Sequence, residues 1–226
     1  MNTEKTKEII KELADKQVIL VAVTKTRTLD EINKAIELGI TVIGENRLQE
    51  AQDKFPQISD SVEKHFIGHL QSNKVKKVVE ISDMIESVDS IKLLKLINNE
   101  AEKQNKIIQA LIEINIGDEE TKSGIPYENA EEFFKEMDNT IKSENLKNIK
   151  ILGLMTIAPF IEPEETRPYF KKMKALFDKL KEKYSDSKTI KLEHLSMGMS
   201  NDWQIAAEEG SNMVRLGTAI FGERNY

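Results

Sequence analysis

Lys25 ends the apolar run Val18-Ile19-Leu20-Val21-Ala22-Val23. The β-branched residues predict a strand over Val18–Lys25. Side chains alternate along a strand, so Ile19, Val21, Val23 and Lys25 share one face. If that face lines an apolar interior, an amine stands at its mouth. Poor hydration disfavours the ammonium form and lowers its pKa. A neutral amine can attack an aldehyde and form an imine. The alternative is a lysine that snorkels from the strand end into water.

Two later segments carry a second kind of chemistry. Ser196-Met197-Gly198-Met199-Ser200-Asn201-Asp202 precedes a predicted helix, and Val214-Arg215-Leu216-Gly217-Thr218 follows one strand–helix unit later. Ser200, Gly217 and Thr218 offer hydroxyls, small side chains and backbone N–H groups, the parts a phosphate needs. Ser200 and Asn201 can also simply cap the helix. Arg215 shares a strand face with Met213 and Gly217. An interior arginine needs a partner, and no fixed acid is obvious. A ring nitrogen could accept its hydrogen bond. Arginine keeps its proton, so that nitrogen would stay unprotonated. The bland alternative is a salt bridge to Glu45 or Glu113. An aldehyde-reactive lysine, a phosphate cup and a donor to a ring nitrogen together fit pyridoxal 5'-phosphate.

The histidines are less informative. His65 and His69 fall on one face of a predicted strand but lie roughly 13 Å apart at about 3.3 Å per residue. That separation forbids a shared metal, and none is expected. His194 reads as a packed strand residue.

These residues need elements to position them. The sequence has 226 residues, 33 Lys+Arg, 39 Asp+Glu and no cysteine, for a net charge of −6. Disulfides, thiolate metal sites and a cysteine nucleophile are therefore excluded. The acidic balance argues against nucleic acid, which requires clustered cations. Pairs such as Lys76-Lys77 and Lys171-Lys172 read as solvated helix faces. The longest apolar run is too short to span a membrane. The opening residues lack the apolar core of a signal peptide. A soluble, cytoplasmic protein is the expectation.

Short β-branched runs alternate with longer helical patterns. Strands are predicted over Val18–Lys25, Thr41–Glu45, Lys64–His69, Met84–Ser87, Ile107–Ile116, Ile149–Ile157, Ile190–Ser196 and Met213–Phe221. An opening helix spans residues 4–15. Seven more lie between the strands, the second helix capped by Asp30 and the longest covering Glu164–Tyr184. Strict alternation implies parallel strands with helical crossovers. Eight such units close into a (β/α)8 TIM barrel with an extra N-terminal helix, one domain over residues 1–226. An open doubly wound sheet is the rival, but no glycine-rich loop follows the first strand. A barrel places function at the carboxyl ends of its strands. Lys25, Gly44-Glu45-Asn46-Arg47, Ser200 and Arg215-Leu216-Gly217-Thr218 all fall there.

Six stretches closely resemble the pyridoxal phosphate homeostasis protein (YggS/PROSC) family. They are AVTKT (22–26), GENRLQEAQDK (44–54), HFIGHLQSNK (65–74), NIGDEETKSGI (115–125), GLMTIAP (153–159) and the long block from Leu195 to Tyr226. The resemblance implies a barrel like the N-terminal domain of alanine racemase. It implies a lysine-bound cofactor at Lys25 and phosphate contacts at Ser200, Gly217 and Thr218. Arg215 would face the pyridine nitrogen, and Asn46 would lie beside the cofactor. Racemases carry a second domain with a catalytic tyrosine, and this sequence stops at Tyr226 with no room for one.

The expected function is therefore a non-catalytic one in pyridoxal phosphate homeostasis, as a monomer. Apo-enzymes would be recipients of the cofactor, and Lys74 or Lys122 could accept the aldehyde during release. The alternatives are a cofactor-dependent amino-acid racemase and a sugar-phosphate enzyme using Lys25 alone.

Overall fold

The computed structural model describes residues 2–119 and 122–223. The last three residues of the long C-terminal motif and residues 120–121 of the fourth lie outside these. The helix α1 (Thr3–Asp15) opens the chain. Then follow β1 (Ile19–Val23), α2 (Leu29–Glu37), β2 (Val42–Glu45), α3 (Leu48–Lys54), β3 (Glu63–Phe66), α4 (Val75–Ile81), β4 (Met84–Val88) and α5 (Ile91–Lys103). The second half holds β5 (Ile108–Asn115), the short β6 (Ile125–Pro126), α6 (Ala130–Ser143), β7 (Ile149–Thr156), α7 (Arg167–Lys183) and β8 (Ile190–Ser196). It ends with α8 (Trp203–Glu208), β9 (Met213–Leu216) and α9 (Thr218–Phe221).

Every described pairing is parallel. The order is β4-β3-β2-β1-β9-β8-β7-β5, and β4 pairs with β5 to close the ring. This is the expected eight-stranded TIM barrel, with β6 attached to β5 outside the ring. Alternation divides each strand between two environments. Val21, Val23, Val42, Ile67, Met84, Leu111, Met155 and Met213 fill the barrel interior. Ala22, Ile43, Val214 and Leu216 face the helices instead. In α7, Phe170, Met173, Leu176, Phe177 and Leu180 are buried, the core stripe their helical spacing predicts. Among the described residues, no helix is long and apolar enough to cross a membrane.

Several boundaries differ from the sequence reading, each for a local reason. Thr28, not Asp30, caps α2, because its hydroxyl and Glu31 form a reciprocal capping box. The long helix begins at Arg167, after a separate 3-10 turn over Pro163–Thr166. β3 stops at Phe66, so His69 is not a strand residue. His65 is buried in the interior, whereas the His69 side chain is exposed beside Asp89. β9 stops at Leu216, and Thr218–Phe221, read as strand, forms the one-turn helix α9.

Candidate functional site

The carboxyl end of β1 is tied down by a buried knot. The Thr24 hydroxyl donates to Glu45 Oε1 at 2.7 Å, and Lys54 Nζ donates to the same oxygen at 2.7 Å. Lys54 also donates to the Thr24 carbonyl and to Glu50, both at 2.8 Å. Glu45 is fully buried, and burial pushes its carboxyl above the usual range. Its ion pair is with Lys54, while Oε2 has no hydrogen-bond partner, and the salt bridge to Arg215 considered above is not formed. With Thr24 and Glu45 fixed, the next residue on each strand turns the other way. Lys25 and Asn46 therefore both line the barrel mouth. Just beyond Lys25 the backbone is strained: Thr26, a β-branched residue, sits at φ 64. Its N–H donates to Glu50 Oε2 at 2.6 Å, which holds the turn.

Asn46 is set by a close backbone approach. A Cβ on Gly68 would lie 2.1 Å from the Asn46 carbonyl oxygen. The Ser87 hydroxyl donates to the Gly68 carbonyl at 2.6 Å and holds the loop there. Neither partner can yield, since both are backbone. Gly68→Ala is expected to destabilise the protein by about 1–3 kcal/mol, as overpacking does. A thermal melt showing no change would contradict this close approach.

The opposite wall comes from the loop after β8 and the start of α9. Gly198, at φ +95, lets the loop turn where a Cβ would meet Ala206 Cβ at 2.5 Å. Ser200 Oγ then accepts hydrogen bonds from the N–H groups of Gly217 and Ala219, each at 3.2 Å. Ser200 thus does not cap α8, whose cap position is Asp202. Asp202 Oδ1 instead accepts from the Met199 N–H at 2.6 Å. A hydroxyl oxygen already bound by two backbone N–H groups marks a place suited to an anionic oxygen.

Arg215 stands between these walls, 4% exposed. Its Nη1 donates to Ser196 Oγ at 2.7 Å and its Nη2 to the Thr156 carbonyl at 2.8 Å. A buried cation without a counter-charge costs several kcal/mol. The nearest carboxylate is Glu86, with Oε2 4.0 Å from Nη1. Burial raises the Glu86 carboxyl, but the His65 hydrogen bond and the His65 and Arg215 charges outweigh it and hold it low. Burial lowers the Arg215 pKa against the charges of Glu86, Glu113 and Asp202. The fixed acid that the sequence reading did not find is therefore Glu86. The salt bridge to Glu113 is not formed; Glu113 Oε1 accepts from the Ser123 hydroxyl at 2.9 Å.

Lys25, Asn46, Ser200, Arg215, Gly217 and Thr218 all line one cavity of about 290 Å³. That lies at the lower end of the range typical for small-molecule sites. Asn46 Oδ1 is buried with no hydrogen-bond partner in the protein. An orphaned acceptor beside an amine, a guanidinium and a serine hydroxyl that gathers two backbone N–H groups fits an anionic ligand carrying a ring and hydroxyl or aldehyde groups. Pyridoxal 5'-phosphate has this donor and acceptor set. Sequence reasoning missed the apolar rim of Ile157, Phe160 and Ile161. Phe160 is 88% exposed at that rim. Lys74 does not line the cavity and lies in an exposed 3-10 turn. Lys122 lines a neighbouring cavity with Glu113, Asn115, Ser123 and Ile157, and pairs with Glu119.

Residues 3–225 match the family described as alanine racemase, N-terminal domain. A pyridoxal phosphate homeostasis protein of Aquifex aeolicus is 44% identical over 209 residues, covering 92% of this chain and 87% of the relative. The chain belongs to the pyridoxal phosphate homeostasis protein family. Among solved structures, PipY of Synechococcus elongatus PCC7942 without PLP superposes with a TM-score of 0.87 at 30% identity, covering 98% of this chain and 100% of PipY. PipY with PLP bound gives a TM-score of 0.81 at 30% identity, covering 96% and 100%. The family resemblance expected from the six motifs is therefore established over almost the whole chain, as is the barrel.

Proposed function

We propose that this protein holds pyridoxal 5'-phosphate reversibly on Lys25 and thereby serves its homeostasis. The observation that carries the reading is the convergence of Lys25, Arg215 and the Ser200–Gly217–Thr218 group on one cavity. The PLP bound to PipY and the name of the Aquifex relative support it. When bound, the cofactor supplies an aldehyde that condenses with an amine and releases water. Lys25 is the amine placed for this, at the polar end of an apolar strand face. Ser200, Gly217 and Thr218 would hold the phosphate, the Gly217 and Ala219 N–H groups passing from Ser200 Oγ to the anion. Arg215 has five N–H donors and spends two on Ser196 and Thr156, leaving donors for the ring nitrogen. Asn46 Oδ1 accepts from the ligand's polar edge.

Holding, rather than turnover, is the role these residues favour. Racemisation needs proton exchange on both faces of one carbon. Among the described lining residues, the titratable groups are Lys25, Arg215 and Asp202. Asp202 is committed to the Met199 N–H. With Arg215 donating to it, the ring nitrogen of a bound cofactor would stay unprotonated and the electron sink would be weakened. The test is chemical trapping. The chain is incubated with pyridoxal phosphate, reduced with borohydride and mapped by peptide mass spectrometry. The adduct is expected on the peptide containing Lys25, and an adduct solely on another lysine would overturn the assignment.

A further inference from the structure

A line of polar side chains crosses the barrel interior beneath the cavity. It starts at Arg215 on β9. Arginine only donates, so Ser196 Oγ accepts from Arg215 Nη1 at 2.7 Å. The single Ser196 proton then goes to Glu86 Oε2, at 2.7 Å. The other Glu86 oxygen contacts His65 Nδ1 at 2.7 Å. His65 Nε2 lies 3.2 Å from Glu63 Oε1. The arginine end thus fixes the Ser196 proton, and with Glu86 ionised His65 Nδ1 donates to it, while Nε2 meets Glu63 as an ion-pair contact with no hydrogen bond. Charge alternates along the line: Arg215 positive, Glu86 negative, His65 positive, Glu63 negative. The middle is shielded from solvent, since Glu86 and His65 are 0% and 1% exposed. Glu63, 40% exposed in its side chain, lines a separate cavity of about 440 Å³ at the amino ends of the strands.

We propose that Glu86 and His65 are positioning residues for Arg215, holding the guanidinium at the angle at which it meets the ring nitrogen of the bound cofactor. The inference rests on the cofactor reading above. Neither residue lines the cavity, so both act through Ser196 and Arg215. A guanidinium with several acids in reach needs one of them to dominate. Glu113 and Asp202 also exert attraction on Arg215. Burial raises both of their carboxyls, whereas Glu86 stays low. His65 is what keeps Glu86 ionised. Burial opposes charge on His65, but the carboxylates of Glu63 and Glu86 overcome it and push its pKa up to about 9. The His194 ring also faces this cluster from β8, and burial lowers its pKa. Removing the Glu86 charge frees the guanidinium to swing toward Glu113 or Asp202 and away from the ring nitrogen.

The test uses the full chain loaded with pyridoxal phosphate. Two quantities are read: the pH midpoint of the visible band of the lysine-bound cofactor, and the dissociation constant. Glu86→Gln is expected to move the midpoint by at least about half a unit and to weaken retention roughly tenfold, about 1.4 kcal/mol. Ser196→Ala, which removes only the bridging hydroxyl, is expected to shift both in the same direction by a smaller amount. Should Glu86→Gln not fold, Ser196→Ala decides alone. Folded variants with the wild-type midpoint and retention overturn the inference and leave the cofactor reading intact. A wild-type chain that develops no band removes the cofactor reading and the inference together.

Discussion

Lys25→Ala is expected to abolish the visible band formed with pyridoxal phosphate and to weaken retention by at least roughly 100-fold, about 2.8 kcal/mol. The covalent link is lost outright, leaving only the noncovalent contacts. Those are the phosphate contacts at Ser200, Gly217 and Thr218 and the Arg215 donors. Lys25→Arg separates charge from nucleophilicity, because it keeps the cation and still removes the reactive amine. It should lose the band as completely as Lys25→Ala. Lys25 is only partly buried, so its truncation should cost about 1 kcal/mol of stability, the ordinary size for a point substitution, and leave the barrel folded. Equilibrium dialysis, absorbance and a thermal melt check the three statements. An undiminished band in Lys25→Ala would place the reacting amine elsewhere and remove the central element of the proposal.

The cavity was legible because alternation along a strand is a local property. Parity alone put Lys25 and Arg215 on inward faces, and strand ends alone gathered Asn46, Ser200, Gly217 and Thr218. Glu86 was equally visible as a charge in the middle of Met84–Val88. Its partners were not, because they come from strands far apart in sequence. β4 supplies Glu86, β3 His65, β8 Ser196 and β9 Arg215. Only closure of the ring and its register bring these into one line. The misread boundaries have the same origin. The apolar residues after His65 continue a strand pattern, but the approach of Gly68 to the Asn46 backbone ends the strand. Thr218–Phe221 is apolar enough for a strand, yet Ser200 captures the N–H groups of Gly217 and Ala219 and the chain turns into α9.

The buried charge line also predicts how stability depends on pH. The His65 pKa is about 9 in the folded protein and about 6.5 when unfolded. A group raised on folding contributes fully below its unfolded value, and the contribution is lost as pH rises through the folded value. The His65 contribution therefore declines from about pH 6.5 to about pH 9. Glu86 and Glu63 are held below their ordinary values, so their contributions are lost only as pH falls into the carboxylate range. His194 is lowered on folding and costs stability only below about pH 6.5. The alkaline decline thus belongs to His65 among the histidines with shifted values. Its size is a few kcal/mol, which for a protein of this length corresponds to roughly 5–10 °C in melting temperature. His65→Gln leaves Glu86 and Arg215 in place but has nothing to titrate there. It should be much less stable than wild type at pH 6, where it lacks the imidazolium and with it part of what holds Glu86 ionised, and approach wild type near pH 9.5, where the wild-type imidazole has lost its charge as well. Glu86→Ala, which strands a buried imidazolium and guanidinium together, should cost about 3–5 kcal/mol at pH 7. Thermal melts of the three proteins from pH 5 to 9.5 decide the matter. Parallel wild-type and His65→Gln curves would mean that His65 is neutral in the folded barrel and that the line of alternating charge does not exist.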